Sequence, residues 1–425
     1  MADDSAVFCL KCAMQTYAWG KVGASSEVAQ LTAGADNSFE IKDDVPYAEL
    51  WMGTHPNGPS MVCAQGQPQI SLAEWLKRHP DSLGKEVLSY FKGSLPYLFK
   101  VLSVGTSLSI QAHPNKVHAE KLHREQPELY KDPNHKPEMA IALTPFKALC
   151  GFRPIQEVSD FIKDIGELRT VIGSPASMKL ITASRSMDMP MHREAMKACF
   201  SSMMYQSKEV VTCELRKLID RVQSQENRGE DLSKLNGKLL LTLYKDFPDD
   251  VGCFAIYFLN VVTLKPGEAM FLEADLPHAY LSGDCMECMA CSDNVVRAGL
   301  TPKFLDVHTL CEMLDYTGRP AIKTKFRGIQ STENNCKITV FKPPINDFAV
   351  IEMEIGLKQD AFKLISYDSA SICIVIKGEG KAMNRTIREP IPLGKGTVFF
   401  ISAKEEVELC VTSNGMHLFR ALAGL

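Results

Sequence analysis

Four side chains that lie far apart in the chain are of the types that hold a divalent metal ion. Gln111 and His113 alternate with Ile110 and Ala112, and on a strand of period two both polar groups leave by the same face. Glu138 opens an apolar run after the proline-rich stretch 133–137. Two neutral donors and a carboxylate lack only one further nitrogen or oxygen to close a site. Downstream, Pro266-Gly267 reads as a turn, 269–273 as a strand, and His278 stands at the start of the next strand after a second turn. A lone Gln-x-His pair more often faces solvent. Inside a barrel, however, an unpaired polar group costs ~1–3 kcal/mol, and a shared ion removes that cost. Gln111, His113, Glu138 and His278 are therefore read as one tetrad.

The two halves of this pattern, a strand Gln-x-His followed by Glu and then a turn, strand and His, are those of a metal-binding cupin. Further segments carry a whole-chain resemblance: Tyr17-Ala-Trp-Gly20, Tyr47-Ala-Glu-Leu-Trp-Met-Gly-Thr-His55, Leu95-Pro-Tyr-Leu-Phe-Lys-Val-Leu102, the stretches 109–116 and 133–143, Cys150-Gly-Phe-Arg153, Glu287-Cys-Met-Ala-Cys-Ser-Asp-Asn294, and Arg297-Ala-Gly-Leu-Thr-Pro-Lys303. The chain resembles the type I mannose-6-phosphate isomerases, the animal enzymes above all. That resemblance implies one Zn2+ per chain on Gln111, His113, Glu138 and His278, and an active-site role for Arg297. It also implies reversible isomerisation of mannose 6-phosphate and fructose 6-phosphate, feeding GDP-mannose and glycosylation.

Interconverting an aldose and a ketose phosphate moves a proton between C1 and C2 through an enediolate, whose developing negative charge a Lewis acid stabilises. Arg297 suits either the phosphate or the enediolate, because its planar charged fork binds two oxygens together. Lys136 shares an extended face with Glu138 and assists proton transfer where a neighbouring cation favours its neutral form. Glu287 is the second proton-transfer candidate. Lys100, Lys303, Ser109, Tyr280 and Glu49 are candidates for substrate contact, and Trp19 for a sugar-stacking wall. Two rivals stand beside this reading. Two His and a carboxylate also suit a non-haem Fe(II) oxygenase, and a metal-stabilised binding protein needs no turnover. Cys285, Cys288 and Cys291 form a Cys-x2-Cys-x2-Cys array, but no fourth cysteine closes it at metal-binding spacing.

The elements that must position these residues are mainly β with α. The fold expected is two cupin (jelly-roll) barrels plus an inserted all-helical domain. Residues 1–153 form the first part of the catalytic cupin, with strand-like alternation through 1–70, a Ser71-Leu-Ala-Glu capping box and a helix at 116–125 that turns Ala119 and Leu122 inward. Residues 154–250 change period: Val158, Phe161, Ile162, Ile165 and Leu168, then Val211, Leu215, Leu218 and Val222, then Leu239, Leu240, Leu243 and Tyr244 recur at helical spacing. Residues 251–317 complete the catalytic cupin, with strand expected again from Cys253 and a helix over Thr301–Tyr316. Gly318–Ser331 reads as a linker, and 318–425 as a metal-free second cupin. Shifting the chain by 263 places lays Gln111 on Ile374 and His113 on Ile376. A second register lays His278 on Val407, so the ligands become aliphatic in the second copy.

The chain has 425 residues, 45% hydrophobic and 23% charged, with a net charge of −4. That balance argues against nucleic acid or an anionic membrane as partner, so a sugar phosphate must be met by local cations. The acidic start lacks a secretory pattern and no apolar run approaches bilayer-spanning length, which gives a cytoplasmic expectation. The fourteen cysteines are scattered through apolar segments and are expected to be reduced thiols. A monomer is expected, since no long apolar edge or heptad repeat appears.

Overall fold

In the computed structural model, which describes residues 5–63, 70–356, 361–387 and 389–425, the candidate ligands lie in strands or at their ends. The strands that build the site are β1 (Glu49–Met52), β2 (Tyr97–Val104), β3 (Ile110–Ala112), β4 (Glu138–Ala142), β5 (Phe146–Phe152), β6 (Leu259–Leu264), β7 (Ala269–Leu272), β8 (His278–Ala290) and β9 (Val296–Gly299). β8 belongs to two sheets. Its first residues pair with β5 and β3, in the order β6, β5, β8, β3, β9. From Gly283 onward it pairs instead with β2 and β4. That sheet runs Ala13–Gln15, β1, β2, β8, β4, β7, Lys325–Phe326. The two sheets face each other across Leu102, Ala140, Met270 and Cys285 from one and Phe146, Ala148, Val262 and Tyr280 from the other.

The crossing depends on Gly283. Its φ is +113°, and a Cβ there would stand 2.6 Å from the Pro145 carbonyl oxygen and 2.9 Å from Phe146 Cα. Gly283→Val is therefore expected to cost more than the ~1–3 kcal/mol of backbone strain alone. The expected readout is a lower denaturation midpoint together with weakened metal retention, because β8 carries a candidate ligand at one end of the bend and Glu287 at the other.

Each outer face is covered differently. Ile110, Ala112, Leu149, Ala279 and Val296 pack into the core of the helical stretch, whose main helices are Ile155–Asp164, Ser174–Ala183, Met189–Met204, Lys208–Asn227 and Gly237–Asp246. The positions picked out by helical periodicity are the ones buried there: Val158, Ile162, Leu168, Leu215, Leu218, Val222, Leu240 and Leu243. On the other side Leu50, Tyr97, Phe99, Ile141 and Met286 pack against Phe341, Val350, Ile372, Phe400 and Phe419 of an eight-stranded sheet. The far face of that sheet covers a four-stranded one through Ile338, Met353, Val375, Val407, Leu409 and Leu418.

Several local expectations change. Glu27–Ala35, within a stretch read as strands, is a helix whose N-cap Ser26 accepts from Ala29 N. The run from Cys253 begins as a short helix, Gly252–Ala255, and strand resumes only at Leu259. Every residue of 252–259 is buried, and a fully buried run carries no period to tell helix from strand. The helix expected over Thr301–Tyr316 is confined to Val307–Met313, where Asp306 caps Thr309 N at 3.1 Å. The linker 318–331 is structured: Lys325–Phe326 joins β7 and Ile329–Glu333 joins the eight-stranded sheet. Strands Val7–Lys11 and Met61–Cys63 also complete that C-terminal sheet. The internal repeat is out of register on one strand, because Ile374 faces the core shared with the first pair of sheets while Cys373 and Val375 face the C-terminal interior. A slip of one residue exchanges the two faces. Val407 does lie in that interior.

Candidate functional site

The site forms where the two facing sheets meet. In one transverse row of the first sheet Cys150, His278, Gln111 and Arg297 are direct neighbours on β5, β8, β3 and β9, so their side chains share a face. His113 follows β3 directly. The second sheet supplies the opposing row Trp51, Lys100 and Glu287, and Glu138 opens β4 beside Met289. Across the gap, Glu138 Oε2 lies 3.2 Å from His278 Nε2 and 3.4 Å from His113 Nε2. All three residues are buried.

The hydrogen bonds around this trio decide what the close approach means. His113 Nδ1 donates to the Asn294 carbonyl at 2.6 Å and His278 Nδ1 to the Leu276 carbonyl at 2.8 Å. A carbonyl only accepts, so each Nδ1 carries a proton, and the neutral form of each ring presents a lone pair at Nε2. Burial lowers the His113 imidazole to about 4, so it is neutral at pH 7 and its contact with Glu138 is not an ion pair. Burial acts to raise the Glu138 carboxyl, but with His113 neutral it is the Lys136 ammonium beside it that holds it below the usual range. His113 Nε2, Glu138 Oε2 and His278 Nε2 are accordingly buried acceptors without a hydrogen-bond partner, and they can all reach one ion. Converging lone pairs in a dry interior repel one another unless a cation lies between them. The residues fit a metal, with both rings oriented by backbone carbonyls as metal-binding imidazoles usually are.

Around the trio runs a charged and hydrogen-bonded chain. Tyr280 Oη donates to Glu287 Oε1 at 2.8 Å, and Glu287 Oε2 lies 3.2 Å from Lys100 Nζ. Lys100 also stands 3.8 Å from Glu49 Oε2 and 5.0 Å from the Trp51 ring, and Trp51 Nε1 donates to Glu49 Oε2. Burial opposes the Lys100 charge, but Glu49, Glu287 and Glu138 outweigh it and raise its pKa. Burial raises Glu287 despite Lys100, which favours its protonated form. Burial, then Glu287 and Glu138, raise the Tyr280 hydroxyl. Lys136 Nζ stands 3.4 Å from Glu138 Oε1. Arg297 is half-buried, burial lowers its pKa, and a guanidinium stays charged nonetheless. No ion pair of Arg297 occurs among the described residues.

The candidates chosen from sequence separate into those gathered here and those not. Trp19 is partly buried against the Tyr280 and Leu102 cluster, and Ser109 is half-buried just before β3. Lys303 is exposed; its backbone N–H bonds Thr301 Oγ1, and among the described residues no ion pair joins it to the other candidates. Cys285, Cys288 and Cys291 do not converge. Spacing by three on a strand alternates faces, so Cys285 lies between the sheets and Cys288 in the outer core. Asn294 and Trp51 were missed. Asn294 accepts from His113 and is itself held by Nδ2 bonds of 2.7 and 2.8 Å to the Asp132 and Asn134 carbonyls, a role played by a backbone oxygen that no side-chain pattern announces.

The phosphomannose isomerase type I catalytic domain matches residues 7–155 and the helical insertion domain of the same proteins matches 171–259. Mannose-6-phosphate isomerase of Macaca fascicularis is 51% identical over 98% of both chains. The Homo sapiens protein of that name is 50% identical over 98% of both, and mannose-6-phosphate isomerase 2 of Arabidopsis thaliana is 40% identical over 97% of this chain and 92% of its own. Among solved structures, mannose 6-phosphate isomerase bound with zinc and yttrium superposes with a TM-score of 0.82 at 29% identity, covering 99% of this chain and 100% of the other. A point mutant of phosphomannose isomerase from Salmonella typhimurium gives the same score, identity and coverage.

Proposed function

The chain belongs to the type I phosphomannose isomerases, and from that membership we propose that it interconverts mannose 6-phosphate and fructose 6-phosphate between its two facing sheets, with one Zn2+ per chain. It is an aldose–ketose isomerase. The observation that carries the site is the convergence of His113 Nε2, Glu138 Oε2 and His278 Nε2 as buried acceptors without partners. Gln111, the cross-strand neighbour of His278, completes the ligand set. A zinc ion so held supplies Lewis acidity toward the oxygens of the open-chain sugar. A zinc-bound structural relative supports this choice of metal.

The chain's own groups divide the remaining work. Arg297 binds negative oxygen, since it shares the ligand row and has no carboxylate partner among the described residues. Lys136 and Glu287 are the groups placed to move the proton between C1 and C2 through an enediolate, Glu287 because burial favours its protonated form and Lys136 because it stands beside Glu138. Lys100 stays charged between Glu49 and Glu287 and adds local positive potential toward the sugar phosphate. Tyr280 fixes the Glu287 carboxylate, and Trp19 flanks the cluster. Two His and a carboxylate also suit Fe(II), but the names of the relatives favour the isomerase over an oxygenase or a non-catalytic binding protein.

The division proposed is a catalytic cupin from 1–153 and 251–317, a helical insertion over 154–250 and a metal-free cupin from 318. It is supported by two successive pairs of facing sheets and by the matched helical region. A cytoplasmic monomer supplying GDP-mannose synthesis and glycosylation goes with this reading. Among the described residues no helix is long and apolar enough to cross a membrane.

The test is direct. Purified protein is expected to contain about one zinc per chain, to convert mannose 6-phosphate to fructose 6-phosphate, to lose that activity on chelation and to regain it with zinc. Undiminished turnover in metal-free protein would overturn the proposal.

A further inference from the structure

All fourteen cysteines are free, and two of them face each other across a pair of strands. Cys9, on Val7–Lys11, is the direct antiparallel partner of Cys63, at the end of Met61–Cys63. Directly opposed residues on antiparallel strands lie about 4.5–5.5 Å apart at Cα with side chains on one face, and a disulfide needs about 4.4–6.8 Å. Met61–Cys63 is the edge strand of the eight-stranded sheet. Cys63 is exposed and Cys9 partly so. A cavity of ~710 Å³ is lined by both residues and also by Lys11, Cys12, Asp36 and Thr397.

We propose that Cys9 and Cys63 are a disulfide-forming pair, a reversible modification site some distance from the sugar site, oxidised by small-molecule disulfides that enter this cavity. Cys12 is the obvious competitor and geometry excludes it. Three residues along extended chain separate Cys9 and Cys12 by about 10 Å at Cα, too far to bridge. The two also pack into different cores, Cys9 with Val7 and Cys12 with Leu10.

The chemistry balances with oxidised glutathione as the electron acceptor. Cys63, the more exposed thiol, loses its proton and attacks one glutathione sulfur, expelling a glutathione thiolate that takes up a proton. Cys9 then attacks the Cys63 sulfur of this mixed disulfide, expelling the second glutathione as thiol. Two protein thiols lose two electrons and two protons, and one glutathione disulfide becomes two thiols.

Burial, then Cys63, pushes the Cys9 thiol up to about 11. Burial also raises Cys63, against the Lys11 backbone N–H and ammonium. The thiolate is the reactive form, so the exchange is slow at neutral pH and speeds up about tenfold per pH unit below the thiol pKa.

The full-length protein is to be incubated with excess oxidised glutathione at pH 7 and pH 8, alkylated and mapped without reduction. The expected result is two fewer alkylatable thiols, a Cys9–Cys63 linked peptide, formation about tenfold faster at pH 8, and full reversal by dithiothreitol. Cys63→Ser, at an exposed edge position, is expected to abolish the link without altering the far-UV circular dichroism. Cys9→Ser is expected to stop the reaction at glutathione on Cys63. Retention of all fourteen alkylatable thiols, a link to Cys12, or glutathione left on wild-type Cys63 would each overturn the assignment.

Discussion

His278→Ala is expected to release the zinc and reduce turnover to background while leaving the fold in place. His278 Nε2 is one of three converging acceptors, and among the described residues no third histidine belongs to that group. Loss of an orienting group around a metal ligand already costs 10–100-fold in affinity or activity, so loss of a ligand itself is expected to cost more than about a hundredfold. The fold has reason to survive, because the pairing of β8 with β5 and β2 is made by backbone groups along thirteen residues. Removing one imidazole also leaves His113 and Glu138 less crowded. Metal content after gel filtration, with thermal denaturation alongside, reads the two consequences separately. A variant that keeps stoichiometric zinc would exclude His278 as a ligand, and one that unfolds would assign it to structure.

Arg297→Ala is expected to keep both zinc and fold and to lose about 10²–10³-fold in kcat, the usual scale for removing one group that stabilises developing negative charge. Arg297 and His278 flank Gln111 in one row, so their Cα atoms are separated by two strand spacings, about 9–10 Å. An extended arginine side chain is long enough to span most of that distance. The half-buried guanidinium has no carboxylate partner among the described residues, so its removal leaves no buried charge unpaired and the stability cost is small. Steady-state kinetics separates the two roles open to it: a fall in kcat at nearly constant KM places it on the enediolate, and a rise in KM at constant kcat places it on the phosphate. Loss of zinc together with activity would make it a structural residue. Lys100 is different, since its substitution would leave Glu49 and Glu287 facing each other in a buried site.

The ligand types, their spacing and the helical stretch were legible because each is local. Gln111 and His113 reveal a shared face through period two, and the buried stripes of Lys208–Asn227 and Gly237–Asp246 follow from a period of 3.6. Lys303 shows the limit of the same reasoning. It lies in a segment as motif-like as that of Arg297, yet it is exposed, and a lysine's type carries no information about whether the chain turns it toward solvent.

The sequence by itself offered Gln111, His113, Glu138 and His278 as candidate metal ligands and Arg297 as a candidate for binding negative oxygen, and it put Gln111 and His113 on one face of their strand. Only the tertiary structure decided that Glu138 comes from one sheet and both imidazoles from the other, that Gly283 lets a single strand serve both, and that Val7–Lys11 and Met61–Cys63 close the C-terminal sheet. The physical reason is range. Side-chain periodicity is fixed by bonds within a few residues, whereas strand pairing across hundreds of residues is selected by the burial of whole faces. The same burial leaves three acceptors converging without a hydrogen-bond partner.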